Sequence, residues 1–198
     1  DASTNYAASS ATYTLSVNRG TCSISVNPTS GTITYPTTTS TFTVDKGSCN
    51  GDLSIKSSSD SVATATVSGT TGTVTYKSAG EATITVTAAQ SGQYAAATAT
   101  YKVQTIPGTI TATSSDDSKI YDGSALTCDG NITVTAPTSG YTITYGTKDG
   151  VYDLDSAPTI TNVADSKTIY YKITANNYTA KTGSFECTVA AADNTLTL

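Results

Sequence analysis

A two-residue rhythm runs through this chain and limits its fold more than any other property. In "YTLSV", "CSISV", "GTITY", "TFTV", "GTVTYK", "ATITVTA", "NITVTA", "YTITYG" and "TIYYKITA", apolar or aromatic side chains alternate with Thr, Ser or Lys. Successive side chains of an extended chain point to opposite faces, so each such segment offers one face to a core and one to water. Thr, Val, Ile and Tyr also suit a pleated, half-buried surface. No segment sustains the apolar spacing of ~3.6 residues that marks an amphipathic helix. The expected fold class is therefore all-β.

Turn signals separate the segments every ~8–12 residues and leave roughly seven or eight short strands in each half, the pattern of a β-sandwich or a small β-grasp-like sheet. A chain of 198 residues is long enough for two modest domains of ~100 residues each. The best boundary is "TIPG", residues 105–108, where Pro107 removes a strand donor and Gly108 frees the backbone. Two tandem domains are expected, 1–105 and 106–198. Residues 1–11, "DASTNYAASSA", read as a polar lead-in and the closing "DNTLTL" as the start of a linker or strand, so further modules are expected on both sides within a larger multidomain chain. Only 37% of the residues are hydrophobic, but spread in alternation they suffice for a thin two-layer core, and disorder is not expected.

The four cysteines, Cys22, Cys49, Cys128 and Cys187, contain no CxxC pair, and the chain has no His to complete a common zinc set. Parity puts Cys128 on the face of Leu126, and Cys187 on the face of Phe185 and Val189, so both thiols point into a core. Closure within halves, Cys22–Cys49 and Cys128–Cys187, would stabilise each domain by ~3–4 kcal/mol in the chain-entropy model and imply an oxidising, extracytoplasmic compartment. The alternative is buried free thiols, because unpaired Cys packs like a small hydrophobe. The formal net charge of −5 speaks against nucleic acid, whose phosphates need clustered Lys and Arg. No run approaches the ~18 apolar residues of a membrane-spanning helix, so membrane insertion is not expected. Asp1 has no basic-then-apolar signal region before it, which points to a processed protein or a fragment.

Catalytic, cofactor and metal sites are not expected. A Ser or Cys nucleophile needs a base that takes a proton near neutral pH, usually the His this chain lacks. No glycine-rich phosphate loop is present. A glycosidase needs two placed acids, but Glu81 and Glu186 are the only glutamates, and most aspartates sit in Gly/Ser turns where Asp bonds its own backbone. Three groups, Asp45, Asn50 and Asp52, then Asp116, Asp117 and Asp122, then Asp149, Asp153 and Asp155, offer oxygens of the kind calcium takes. None has the spacing of an EF-hand loop, and turn chemistry accounts for them. Lys172 points outward by parity with Tyr170 and Thr174, away from the burial that an isopeptide crosslink requires. The glycosylation sequons at Asn131 and Asn177 are expected by chance in a Thr-rich chain.

The thirteen tyrosines are the last candidates, because a Tyr ring and hydroxyl together suit a sugar or a protein partner. Tyr141, Ile143 and Tyr145 share one face, as do Ile169, Tyr171 and Ile173, and the isoleucines mark both faces as core. The turn after the first of these strands is expected from Gly146, Asp149 and Gly150. Tyr152, Tyr170 and Tyr178 then remain as the aromatic group free to meet a ligand.

The stretch "SSSDSVATATVSGTTGTVTYKSAGEATITVTAAQSGQYAAATATYKV", with "SISVNPTSGTITYPTTTSTFTV" before it, resembles the bacterial immunoglobulin-like domain group 2 (Big2) over about residues 13–104. The later "KIYDGSAL" and "YTITYGTKDGVYDLDSAPTITNVADSKTIYYKITANNYTAKTGSFECTV" resemble the MBG-type domain of bacterial surface proteins over about residues 108–190. These resemblances imply an immunoglobulin-like sandwich followed by a small β-rich domain, at the bacterial cell surface or outside the cell. They imply a non-catalytic stalk, spacer or adhesin module; a host glycan or surface protein is the partner expected for such a module's exposed tyrosines.

Overall fold

The computed structural model describes residues 9–193. The expectations for residues 1–8 of the lead-in and 194–198 of the closing segment lie outside the described residues. Within them the chain is all-β, with eighteen strands and a single three-residue 3-10 turn, Val163–Asp165.

The first half forms β1 (Ser25–Asn27), β2 (Ser30–Thr34), β3 (Thr39–Asp45), β4 (Leu53–Ser57), β5 (Ala63–Ser68), β6 (Thr71–Tyr76), β7 (Gly80–Ala88) and β8 (Ala97–Ile106). They make two four-stranded sheets, ordered β1-β3-β6-β5 and β2-β8-β7-β4. Every pairing is antiparallel except that of β2 with β8, which is parallel. If β1 and β2 are taken as one strand that switches sheets, the order is that of an immunoglobulin sandwich: first, second, fifth and fourth strands face third, sixth and seventh. The alternation does the packing. Phe42, Val44, Val74 and Tyr76 from one sheet meet Ile84, Val86, Tyr101 and Val103 from the other, all buried. Phe42 stacks on Tyr101 with ring centroids 4.7 Å apart. Opposite Phe42 the partner strand carries Gly72, where a Cβ would run into the ring, so only glycine leaves room for it.

The second half forms β9 (Gly108–Thr109), β10 (Thr111–Thr113), β11 (Asp117–Ile120), β12 (Leu126–Thr127), β13 (Thr133–Ala136), β14 (Tyr141–Gly146), β15 (Thr159–Ile160), β16 (Lys167–Ala175), β17 (Tyr178–Thr179) and β18 (Lys181–Ala190). Its main sheet, β11-β18-β16-β14, repeats the connectivity of β2-β8-β7-β4, again with one parallel pair at the closing strand. The facing layer is made of short pairs, β10-β13 and β12-β15. A separate core of Ile110, Tyr145, Ile160, Ile169, Tyr171, Ile173, Phe185 and Val189 lies between them.

Each core holds one disulfide, Cys22–Cys49 in the first and Cys128–Cys187 in the second, and no described cysteine is free. Disulfides persist in oxidising compartments, which points to an extracellular domain.

Three strand expectations are corrected. "YTLSV" is not a strand: Tyr13, Leu15 and Val17 are 88%, 75% and 84% exposed. Alternation supplies a face but no hydrogen-bond partners, and this segment pairs with no strand among the described residues. Tyr141 is on the expected face yet stays exposed, while Ile143 is half-buried and Tyr145 buried. β14 is the edge strand of its sheet, paired only with β16, so the side chains at its start have a neighbouring strand on one side alone. Gly146 belongs to β14 rather than to the turn, which centres on Asp149 and Gly150 between the bridged Lys148 and Val151. A Cβ on Gly146 would meet the Val151 carbonyl oxygen, so glycine there lets the returning chain approach.

Candidate functional site

A set of contacts that neither core explains lies where the two modules meet. Four segments reach it: Tyr35 after β2, residues 77–79 between β6 and β7, the link at residues 106–108, and the turn at residues 177–178 between β16 and β18. Asn177 has φ +64°, a left-handed conformation that Asn tolerates far better than most residues. That conformation turns its side chain back toward the first module.

The Asn177 side chain then acts as a two-point clamp. Its Oδ1 accepts a hydrogen bond from the Ala79 N–H at 3.1 Å, and its Nδ2 donates to the Lys77 carbonyl at 3.3 Å. Its own carbonyl accepts from the Gly108 N–H at 2.9 Å, tying the clamp to the link. Tyr178 pairs in parallel with Gly108 and meets Tyr35 of the first module edge to face, ring centroids 5.3 Å apart at 87°. Gly108 is required by close approach, because a Cβ would lie 2.6 Å from the Tyr35 carbonyl oxygen and 2.7 Å from the Tyr178 ring. An open groove of about 550 Å³ runs beside this contact, lined by Tyr35, Pro36, Pro137, Gly140, Asn176 and Tyr178.

Each hydrogen bond contributes about 0.5–1.5 kcal/mol net and the aromatic pair a similar amount, so the clamp is worth about 2–4 kcal/mol. A gap of that size leaves an open arrangement populated at roughly 0.1–3%. The junction is therefore stiffer than the few residues of "TIPG" suggest.

The sequence-derived tyrosine group does not form one surface. Tyr170 pairs with Gly146, and Tyr152 comes after the turn with its Cα 3.4 Å from a Cβ placed on Gly146, so these two flank the same corner. Tyr178 lies beyond the opposite end of β16, packed against Tyr35 and the second core. Parity assigns a face to each residue but does not say which end of a sheet it occupies.

Four aspartates of the sequence-derived groups, Asp45, Asp116, Asp117 and Asp122, have hydrogen-bond partners within the fold. Asp45 accepts from the Gly47 N–H, Asp116 from the Glu186 N–H, and buried Asp117 from the Gly130 N–H and Asn131 Nδ2. Asp122 accepts from Ser124 and pairs with Lys119, whose ammonium holds the Asp122 carboxyl well below its usual range. Among the described residues no three Cys, Asp or Glu side chains gather as metal ligands. Glu81 lines a shallow groove on the outer face of β2, β8 and β7, whereas Glu186 lies on β18 in the other module, hydrogen-bonded to Thr168. Burial pushes the Tyr76 and Tyr145 hydroxyls above their ordinary value, with Asp129 and Asp117 adding to the effect at Tyr145. No helix in the described residues is long and apolar enough to cross a membrane.

Neither a family model nor a curated protein matches the chain. Among solved structures, the titin domains Z1Z2 in complex with telethonin are similar at 15% identity and a TM-score of 0.42, over 86% of this chain and 94% of that one. The tandem Ig repeats of Dlar are similar at 12% identity and a TM-score of 0.30, over 85% and 98%. Drosophila N-cadherin EC1-3 is similar at 7% identity and a TM-score of 0.33, over 85% and 68%. Likeness at this level assigns no family or partner.

Proposed function

We propose that this chain is a non-catalytic spacer of an exported bacterial surface protein, an immunoglobulin-like module of the Big2 kind followed by an MBG-like module, holding a distal part away from the cell. The observation that carries the reading is the junction: Asn177 and Tyr178 spend their polar and aromatic groups on the neighbouring module rather than on solvent. A spacer has to resist bending, and a clamp at the covalent link supplies that resistance. The two disulfides support the same reading, because each staples one module against unfolding under load or outside the cell.

Small-angle scattering on the 198-residue chain tests it, with Asn177→Gly as the comparison. Glycine keeps the left-handed backbone while removing both side-chain hydrogen bonds. The parent chain is expected to give one narrow distance distribution, and the variant a broader one. Equal breadth in both would remove the junction as a stiffening element.

A second reading is contact with a host glycan or surface protein. It rests on the corner at Gly146 that Tyr152 and Tyr170 flank, and glycan-array binding lost in Tyr170→Ala would support it.

A further inference from the structure

A gapless internal repeat ties this junction to the start of the chain. Residues 6–24, "YAASSATYTLSVNRGTCSI", run in register with residues 94–112, "YAAATATYKVQTIPGTITA". The same residue stands at Tyr6 and Tyr94, Ala11 and Ala99, Thr12 and Thr100, Tyr13 and Tyr101, Gly20 and Gly108, and Thr21 and Thr109. Asn177 and Tyr178, with Phe185 where the other copies have Tyr13 and Tyr101, give a third version of the pattern.

Two of the three copies have the same place in the fold. Tyr101 and Val103, each 2% exposed, lie on β8, between parallel β2 and antiparallel β7. Phe185, Cys187 and Val189 are buried on β18, between parallel β11 and antiparallel β16. In the first copy the matching Tyr13 and Leu15 are 88% and 75% exposed. The turn after that copy nevertheless has the same geometry as the turn after β8. Gly20 bridges in parallel to Tyr94 and donates to the Gln93 carbonyl at 2.7 Å, as Gly108 pairs with Tyr178 and donates to the Asn177 carbonyl at 2.9 Å. The first module thus begins on its own closing turn as the second does, but among the described residues no sheet surrounds residues 13–17. This segment is not a spare strand for the first module, because β8 already fills the equivalent slot.

We propose that residues 9–17 are the closing, central strand of a further β-sandwich module on the N-terminal side, and that Gln93 and Tyr94 form the surface on which that module docks. Gln93 and Tyr94 stand where Asn177 and Tyr178 stand at the observed junction. Gln93 is exposed and Tyr94 half-buried, with the Tyr94 ring 3.6 Å from a Cβ placed on Gly20. The occupant is a module with an open slot between a parallel opening strand and an antiparallel penultimate strand. The inference rests on the repeat and on burial, and holds whether the array serves as a spacer or as a binding surface.

Hydrogen exchange tests it on two chains, the 198 residues as they stand and the same chain extended N-terminally along its gene by one module length. In the first, the amides of residues 12–17 are expected to exchange as in an unfolded peptide, while those of β8 are protected. In the second, residues 12–17 should gain at least ~100-fold protection, approaching that of β8. Protection already present in the shorter chain, or a lowered melting point of the first module on removing residues 1–17, would assign the strand to the first module and overturn the proposal. Absence of protection in the extended chain would overturn it as well. Failure of the spacer reading would look different: modules that reorient freely, with this protection intact.

Discussion

Replacing Cys128 and Cys187 together by alanine gives the sharpest test of how the second module is held. The bridge joins residues 59 apart in sequence, against 27 for Cys22–Cys49. In the chain-entropy account a loop of the longer size is worth about 4 kcal/mol at 25 °C, and the difference between the two loops about 0.7 kcal/mol. Both Cys128 and Cys187 are fully buried within a small core that includes Phe185 and Val189. The alanines therefore also leave unfilled volume, which adds to the loss. For a domain of total stability near 5–15 kcal/mol, a loss of about 4 kcal/mol is roughly a quarter or more of the whole, and at ~4–8 °C per kcal/mol for this size it lowers the melting point by roughly 15–30 °C. The assay is thermal unfolding read by two-dimensional NMR, which reports on each module separately in a chain without tryptophan. The second module should melt early while the first keeps its midpoint to within the small contribution of the shared junction. A loss below about 1 kcal/mol would refute the loop-entropy argument, and an equal shift in both modules would refute their separate cores.

Under mild reductant at neutral pH, Cys22 and Cys49 should be alkylated first, because Cys22 is half-buried while Cys128 and Cys187 have no exposure, and mass spectrometry of the trapped thiols reads the order. Thr105 is buried with its hydroxyl unpartnered, so Thr105→Val should leave the first module as stable or up to about 1 kcal/mol more stable by urea titration. Burial raises the folded-state values of Tyr76 and Tyr145, and the folded form is the neutral phenol. Their contribution is complete below the unfolded value near 10 and is lost as pH rises through the raised folded value, so urea midpoints should fall above about pH 10. Asp122 has the opposite sign: its lowered value, set first by Lys119, gives a contribution present above about pH 4 and lost as pH falls. Its carboxyl carbon resonance should titrate below the ordinary carboxylate range, and in Lys119→Met the titration should move back toward that range.

Much of this fold is legible in the sequence because burial and parity coincide in most strands. Ile84, Val86 and Ala88 on β7, and Ile169, Tyr171 and Ile173 on β16, face the cores as their spacing requires. The same rule misplaces Tyr141, since parity fixes a face but not whether a strand lies on both sides of it. It also makes a strand of residues 13–17, since alternation says nothing of whether a partner strand is at hand. The junction is the part least visible beforehand. Asn177 carries no periodic signal, and its role depends on a left-handed backbone and on the carbonyl of Lys77 and the amide of Ala79, 100 and 98 residues away in sequence. Gly108 reads in the sequence as a place where the chain is free, whereas its lack of a side chain instead allows Tyr35 and Tyr178 to close over it.

Residual dipolar couplings decide whether the Asn177 and Tyr178 clamp makes one stiff body of two separately packed modules. They are measured for backbone amides of β3 to β8 and of β11 to β18 in a weakly aligned sample. Both sets are expected to fit a single alignment tensor of the same size and orientation, and Asn177→Gly is expected to split them. Two tensors of clearly different size in the unmodified chain would mean that the modules swing about "TIPG", and would contradict the clamp.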